Sequence, residues 1–148
     1  MIGILGATKV KKLHKDAKLP VYANNAEDSG ADVFAIHNYL IAPGERVLVK
    51  TGIALVLPDG YECQVRSKSG LALKKGLMVL NSPGTVDNGY RGEIGVILYN
   101  TSNETQHIEK GDKVAQLVIA PVQQSIFIEV HEINETSRGA GGYGSTGK

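Results

Sequence analysis

Apolar and polar residues alternate along most of this chain in short runs of period two, each closed by turn residues. Ile53-Ala54-Leu55-Val56-Leu57 runs straight into Pro58-Asp59-Gly60, which reads as a strand followed by a turn. The same grammar predicts strands at Arg46 to Lys50 after Ala42-Pro43-Gly44, at Glu93 to Tyr99 with Ile94, Val96 and Leu98 on one face, at Val114 to Ile119 after Lys110-Gly111-Asp112, and at Ile126 to Ile133. Only Ser69 to Lys75 suits a helix, of two turns at most: Leu71, Ala72 and Leu73 are good formers and Gly76 is a stop signal. Many short strands and one short helix predict an all-β sandwich or barrel. From Asn134 the apolar pattern ceases, and the glycine-rich stretch Arg138 to Lys148 carries too little apolar surface to offset the entropy of ordering it. The expected organisation is one β domain over residues 1–133 and a flexible tail over 134–148.

Composition narrows the function classes. A chain of 148 residues buries one core, and 16 Lys+Arg against 15 Asp+Glu leave a net charge of +1, so no general nucleic-acid or membrane surface is implied. Phosphate recognition, if present, must be local. The single cysteine, Cys63, has no intrachain disulfide partner, and His14, His37, His107 and His131 are scattered without zinc spacing. The apolar stretch Met1 to Ala7 is short for a signal segment, and a soluble protein of the cytoplasm, or of a host's cytoplasm if viral, is expected.

Several segments carry chemistry. Gly142 to Lys148 fits the opening of a P-loop, but the following Ser/Thr and helix are missing and no buried strand precedes it, so that reading is rejected. Tyr143 between Gly142 and Gly144 is instead a flat ring on a pliable backbone, able to close over a base, and Arg138 could reach a phosphate. Arg66-Ser67-Lys68-Ser69-Gly70 sets hydroxyls, cations and a glycine where a strand gives way to the helix; taken alone, the plainer reading is a serine cap beside solvated lysines. Asn81 to Glu93 is dense in turn residues between apolar flanks and reads as a hairpin, whose backbone and Asn81 amide can pair with the edge of a base. Within it Asp87 and Tyr90 stand three apart. Asp32 opens an apolar strand, ordinarily a turn or edge position, and Gln116 is an amide on what reads as the face of Val114 and Val118, needing a partner.

In this order the segments resemble the five motifs of the trimeric dUTP pyrophosphatase family, from about Gly30 to the end of the chain: Gly30-Ala31-Asp32, Ser67 to Ala72, Pro83 to Gly92, Gly111 to Leu117, and Arg138 to Gly147. The resemblance implies a jelly-roll-like fold and a homotrimer whose three sites are each assembled from three chains, the tail closing over a neighbour's site. It further implies hydrolysis of dUTP to dUMP and pyrophosphate with Mg²⁺. Asp87 would be the general base for the attacking water, and Asp32 would help hold the metal through its waters. Asn81 and the hairpin backbone at Thr85 and Val86 would read uracil, with Tyr90 under the deoxyribose. Lys68, Ser69, Gly70 and Gln116 would hold phosphate oxygens, Arg138 would clamp the γ-phosphate, and Tyr143 beside Gly144 would stack on the base.

Two positions depart from the family's pattern. Ser67-Lys68 replaces the usual Pro-Arg, exchanging a planar fork for a point charge, with Arg66 as a candidate substitute; Tyr143 replaces the usual Phe and keeps the stacking face. The related dCTP deaminases need a carboxylate where this chain has Ile97, so deamination lacks its proton carrier. A non-catalytic dUTP-binding or protein-interaction module would need neither Asp87 nor the tail.

Overall fold

The computed structural model describes residues 6–147, so most of the apolar stretch at the N-terminus, and Lys148, lie outside the described residues. Eleven strands are present: β1 Lys9–Lys12, β2 Ala31–Phe34, β3 Tyr39–Ile41, β4 Arg46–Lys50, β5 Ile53–Val56, β6 Tyr61–Arg66, β7 Leu77–Val79, β8 Gly84–Val86, β9 Gly95–Asn100, β10 Gln106–Ile108 and β11 Lys113–Pro121. Among the described residues the one α-helix, α1, spans Ser69–Lys75, and a single 3₁₀ turn covers Asn25–Glu27. A four-stranded sheet of order β2-β11-β6-β8 and a three-stranded sheet of order β4-β9-β7 carry the architecture, with the pairs β1-β5 and β10-β3 at their margins. Every pairing of these strands is antiparallel. The fold is all-β and jelly-roll-like, and of the two architectures the sequence leaves open it is the layered one, with no closed barrel among the described residues.

Alternation explains the layers. In β9 the residues Val96, Leu98 and Asn100 are buried while Gly95, Ile97 and Tyr99 are only partly so, and Val33, Val49, Ile53, Leu77 and Leu117 meet them in one core. Asn100 is fully buried yet satisfied: its Nδ2 donates to Ile41 O (2.8 Å) and Glu104 O (2.7 Å), and its Oδ1 accepts from Ser102 N (2.8 Å). Helix α1 ends at Gly76 in the left-handed region (φ 66°), as its place after the last apolar residues predicts.

Three expectations are corrected. Leu77–Val79 does pair with β9, but the chain between them is no simple hairpin loop: it crosses to the other sheet, where β8 pairs with β6. A register shift between Lys113 and Ala115 turns Val114 into the core with Ala115 and Leu117, so Gln116 shares a face with Val118 and not with Val114. Ile126 to Ile133 carries the expected alternation but no strand. After Val122 N–H donates to Gly60 O (2.9 Å), residues 123–137 form no backbone hydrogen bond with the rest of the described chain, and Ile126, Phe127, Ile128 and Ile133 are exposed. An apolar pattern supplies a face; a strand also needs an edge to pair with, and this chain offers none there.

Candidate active site

The four-stranded sheet sorts its residues by face. Ala31, Val33, Ala115, Leu117, Cys63, Val65 and Val86 point into the core. The opposite face carries polar groups brought level by register, with Asp32 across from Gln116, Gln116 across from Arg66, and Gln64 across from Thr85. Asp87 follows two residues after Thr85, just beyond the end of β8.

At one end of this face Asp32 is buried and accepts from two ammonium groups: Lys68 Nζ on Oδ1, and Lys113 Nζ on Oδ2 at 3.0 Å. Burial opposes its ionisation, but the hydrogen bonds from Lys68 and Lys113 outweigh it and hold the carboxyl below the usual carboxylate range. Gln116 crosses Gly30, where any Cβ would collide with the amide, and donates through Nε2 to Ser67 O (3.0 Å), so it steadies the turn that presents Lys68, Ser69 and Gly70. Ser67 is not a helix cap. Its Oγ accepts from Val79 N–H (2.9 Å), Lys68 occupies the cap position without a side-chain cap bond, and exposed Ser69 and Gly70 open the first turn. Arg66, exposed, donates to Gln64 Oε1 through Nε (3.0 Å) and Nη2 (2.6 Å).

A separate cleft of about 390 Å³, lined by residues of both sheets, gathers Asn81, Thr85, Val86, Asp87, Tyr90 and Ile97. Val86 is buried in its floor and Asp87 is exposed. Asn81 Nδ2 lies over Gly84, where a Cβ would come within 3.2 Å of it. Tyr90 N–H donates to Asp87 O (3.1 Å), which ties the ring's backbone to that of the carboxylate. The loop is fastened to the fold by Asn88 Nδ2, which donates to Pro58 O (2.9 Å) and Tyr61 O (3.0 Å).

Asp32, Lys68 and Gln116 line neither the cleft of Asp87 nor the second cleft on its far side, which Gly60, Asn88 and Val122 help form. Arg138 donates to Gly141 O (2.8 Å) within its own tail, and Tyr143 beside Gly144 is fully exposed with φ 52°. One chain therefore holds three separate groups of candidate residues. Lys113, Gly30, Gly92 and Glu93 escape sequence reading as site residues, because each acts through a neighbour that only the folded register supplies.

The donor chemistry suits a hard cation in a limited way. Asp32 is an ionised oxygen donor, but both its oxygens already accept from lysines, and the described residues contain no cluster of three His, Cys, Asp or Glu side chains. A hard cation would find at Asp32 a single carboxylate already engaged by two ammonium groups.

Comparison with known proteins gives the chain a family. The dUTPase family model matches residues 15–147. The deoxyuridine 5'-triphosphate nucleotidohydrolase of Hydrogenobaculum sp. is 56% identical over 139 residues, covering 93% of this chain and 96% of its own length. That of Nautilia profundicola is 53% identical over 140 residues, covering 95% and 98%. Among solved structures, a mutant dUTPase of Staphylococcus bacteriophage 80alpha with dUpNHpp superimposes with a TM-score of 0.85 at 29% identity, covering 96% of this chain and 99% of the other. A mutant dUTPase from phage phi11 of S. aureus, described as revealing the coordination of a structural Mg(II) ion, gives 0.80 at 27% identity, covering 88% and 100%. A family model spanning nearly the whole chain, and relatives identical at more than half of their positions, make this chain a member of the dUTPase family.

Proposed function

We propose that this chain hydrolyses dUTP to dUMP and pyrophosphate, with Asp87 as general base, in a homotrimer whose sites are shared between chains. The observation that carries the reading is the cleft that gathers Asp87, Tyr90, Asn81 and Thr85 in a member of the dUTPase family. A base edge meets the Asn81 amide and the backbone at Thr85 and Val86, the Tyr90 ring lies against the sugar, and the exposed Asp87 carboxylate faces the α-phosphate. Asp87 takes a proton from a water whose oxygen bonds to the α-phosphorus as the bond to the bridging oxygen breaks, and pyrophosphate leaves. Lys68, Ser69, Gly70 and Gln116 supply donors for phosphate oxygens, Arg138 a clamp for the γ-phosphate, and Tyr143 with Gly144 the cover over the base. Mg²⁺, when bound, neutralises triphosphate charge, with Asp32 contributing through water.

Two observations support sharing of the site. The donors of the second motif and the tail lie outside the Asp87 cleft of the same chain, and Ile126, Phe127, Ile128, Val130 and Ile133 are all exposed in one short segment. Both are accounted for if that segment and the tail beyond it cross to neighbouring copies.

Purified protein should convert dUTP to equimolar dUMP and pyrophosphate, read by chromatography, leave dCTP undeaminated, and slow severely in excess chelator. Asp87→Asn should fold and bind while losing about 10²–10⁴-fold in kcat. Near-normal kcat in that variant would remove Asp87 from the base role. Ile97, an aliphatic side chain at the cleft wall, speaks against the deaminase reading.

A further inference from the structure

The loop that carries Asp87 and Tyr90 is held at both ends, and its far end is tied to an unrelated part of the fold. Glu93 Oε2 accepts from Gly52 N–H (2.8 Å) in the link between β4 and β5, and the next residue repeats the tie, with Ile94 N–H donating to Ile53 O (2.8 Å) and Thr51 Oγ1 donating to Ile94 O (2.5 Å). The backbone carbonyl of the same Glu93 accepts from the Tyr90 hydroxyl (2.8 Å). Between the two residues Gly92 lies directly against the ring: a Cβ there would stand 2.6 Å from Cζ and 2.9 Å from Cε1 of Tyr90, and closer still to the hydroxyl oxygen. Tyr90 is nearly half exposed, so little else in one chain fixes where the ring rests.

We propose that Gly92 and Glu93 are specificity-positioning residues, setting the Tyr90 ring at the depth that excludes a ribose 2′-hydroxyl, Gly92 by leaving room beneath it and Glu93 by anchoring the carbonyl that holds its hydroxyl. The proposal rests on Tyr90 being the sugar-side wall of a dUTP site. Its logic is steric: discrimination by a wall falls off as the wall is allowed to move, because a displaced ring both admits the extra hydroxyl and leaves it room for water. The three atoms nearest to a methyl group at Gly92 all belong to the outer end of the partly exposed Tyr90 side chain. It should therefore shift the ring without disturbing the fold. Loss of the Glu93 carboxylate releases the Gly52 N–H and lets the carbonyl that receives the Tyr90 hydroxyl drift.

The test compares kcat/KM for dUTP, UTP and dCTP across Tyr90→Ala, Gly92→Ala, Glu93→Ala and Glu93→Gln, with thermal midpoints recorded for each. Tyr90→Ala should lower the dUTP:UTP ratio by at least about tenfold. Gly92→Ala and Glu93→Ala should each lose a large part of that same ratio while keeping the dUTP:dCTP ratio near the starting value, and Glu93→Gln, which keeps an acceptor for Gly52 N–H, should restore it. Should Gly92→Ala not fold, the contrast between Glu93→Ala and Glu93→Gln carries the same test. A collapsed ratio in Tyr90→Ala with unchanged ratios in Gly92→Ala and Glu93→Ala would overturn the positioning role and leave Tyr90's own role standing. An unchanged ratio in Tyr90→Ala would overturn both.

Discussion

At the scale of single residues the most consequential departure from the family pattern is Lys68. A lysine cannot offer the planar fork of an arginine, and in this chain its ammonium is drawn to Asp32, which it shares with Lys113. Two cations thus converge on one carboxylate beside the open first turn of α1, with Asp28 also within reach of Asp32 and Lys68. The arrangement also has an acid limit. The folded Asp32 carboxyl ionises below its ordinary value of 3.8, so its contribution to stability is fully present above that value and is lost as pH falls through the lower, folded one. Asp32→Asn should cost about 1.5–3 kcal/mol at neutral pH and flatten the fall of the thermal midpoint below about pH 4. A midpoint that falls as steeply with acid in the variant would show that other carboxylates set the acid limit. Cys63 is the opposite case: burial, with Glu62 nearby, pushes its thiol up to about 12, which makes it an inert core residue.

Elements show how little of this chain is held by local propensity. Helix α1 has only seven residues, far below the length at which an isolated helix persists, and Leu73 on it is exposed. Its end is fixed instead by Gly76, whose N–H donates to Ala72 O (3.1 Å) and whose carbonyl accepts from Thr101 N–H and from Thr101 Oγ1, both at 2.8 Å. Gly76→Ala places a Cβ in a left-handed conformation and against Thr101 and Ser102, and should cost about 1–2 kcal/mol of stability, read as a lowered thermal midpoint. Because Ser69 and Gly70 stand at the other end of the same helix, KM for dUTP should rise as well. An unchanged KM beside the lost stability would separate the helix end from the phosphate donors. The register shift in β11 is a comparable device: one extra residue between Lys113 and Ala115 lets Val114 enter the core and still leaves Gln116 opposite Asp32.

For the whole molecule the open question is which chain completes which site. If the Asp87 cleft and the tail from Arg138 belong to different chains of one trimer, two defective proteins should repair each other. An Asp87→Asn homotrimer and a homotrimer truncated before Arg138 should each be nearly inactive. Unfolding and reassembling them in equal amounts should give roughly a quarter of sites an intact carboxylate from one chain and an intact tail from another, if mixing is random. Activity should reappear in that mixture and not after simple mixing of the native proteins. A mixture verified as heterotrimeric yet inactive would refute the shared site while leaving the dUTP chemistry in place.

Sequence by itself determined the local elements of this protein. The strand Arg46–Lys50, the two-turn helix Ser69–Lys75 and its stop at Gly76 appear where the pattern puts them, and the strand expected over Glu93 to Tyr99 appears as Gly95–Asn100, because burial on one face and the conformational freedom of glycine act over a few neighbouring residues. Asn81, Asp87 and Tyr90, close along the chain, line one cleft. Tertiary structure alone decided whatever depends on partners distant in sequence. It crossed the segment after β7 to the other sheet, gave Arg66 to Gln64 and Lys68 to Asp32, engaged Gln116 with Ser67 O, and left Ile126 to Ile133 without an edge to pair with. A hydrogen bond or an ion pair is settled by which groups the fold holds within about 3 Å of each other, and that distance is a property of the register and the packing rather than of the order of residues along the chain.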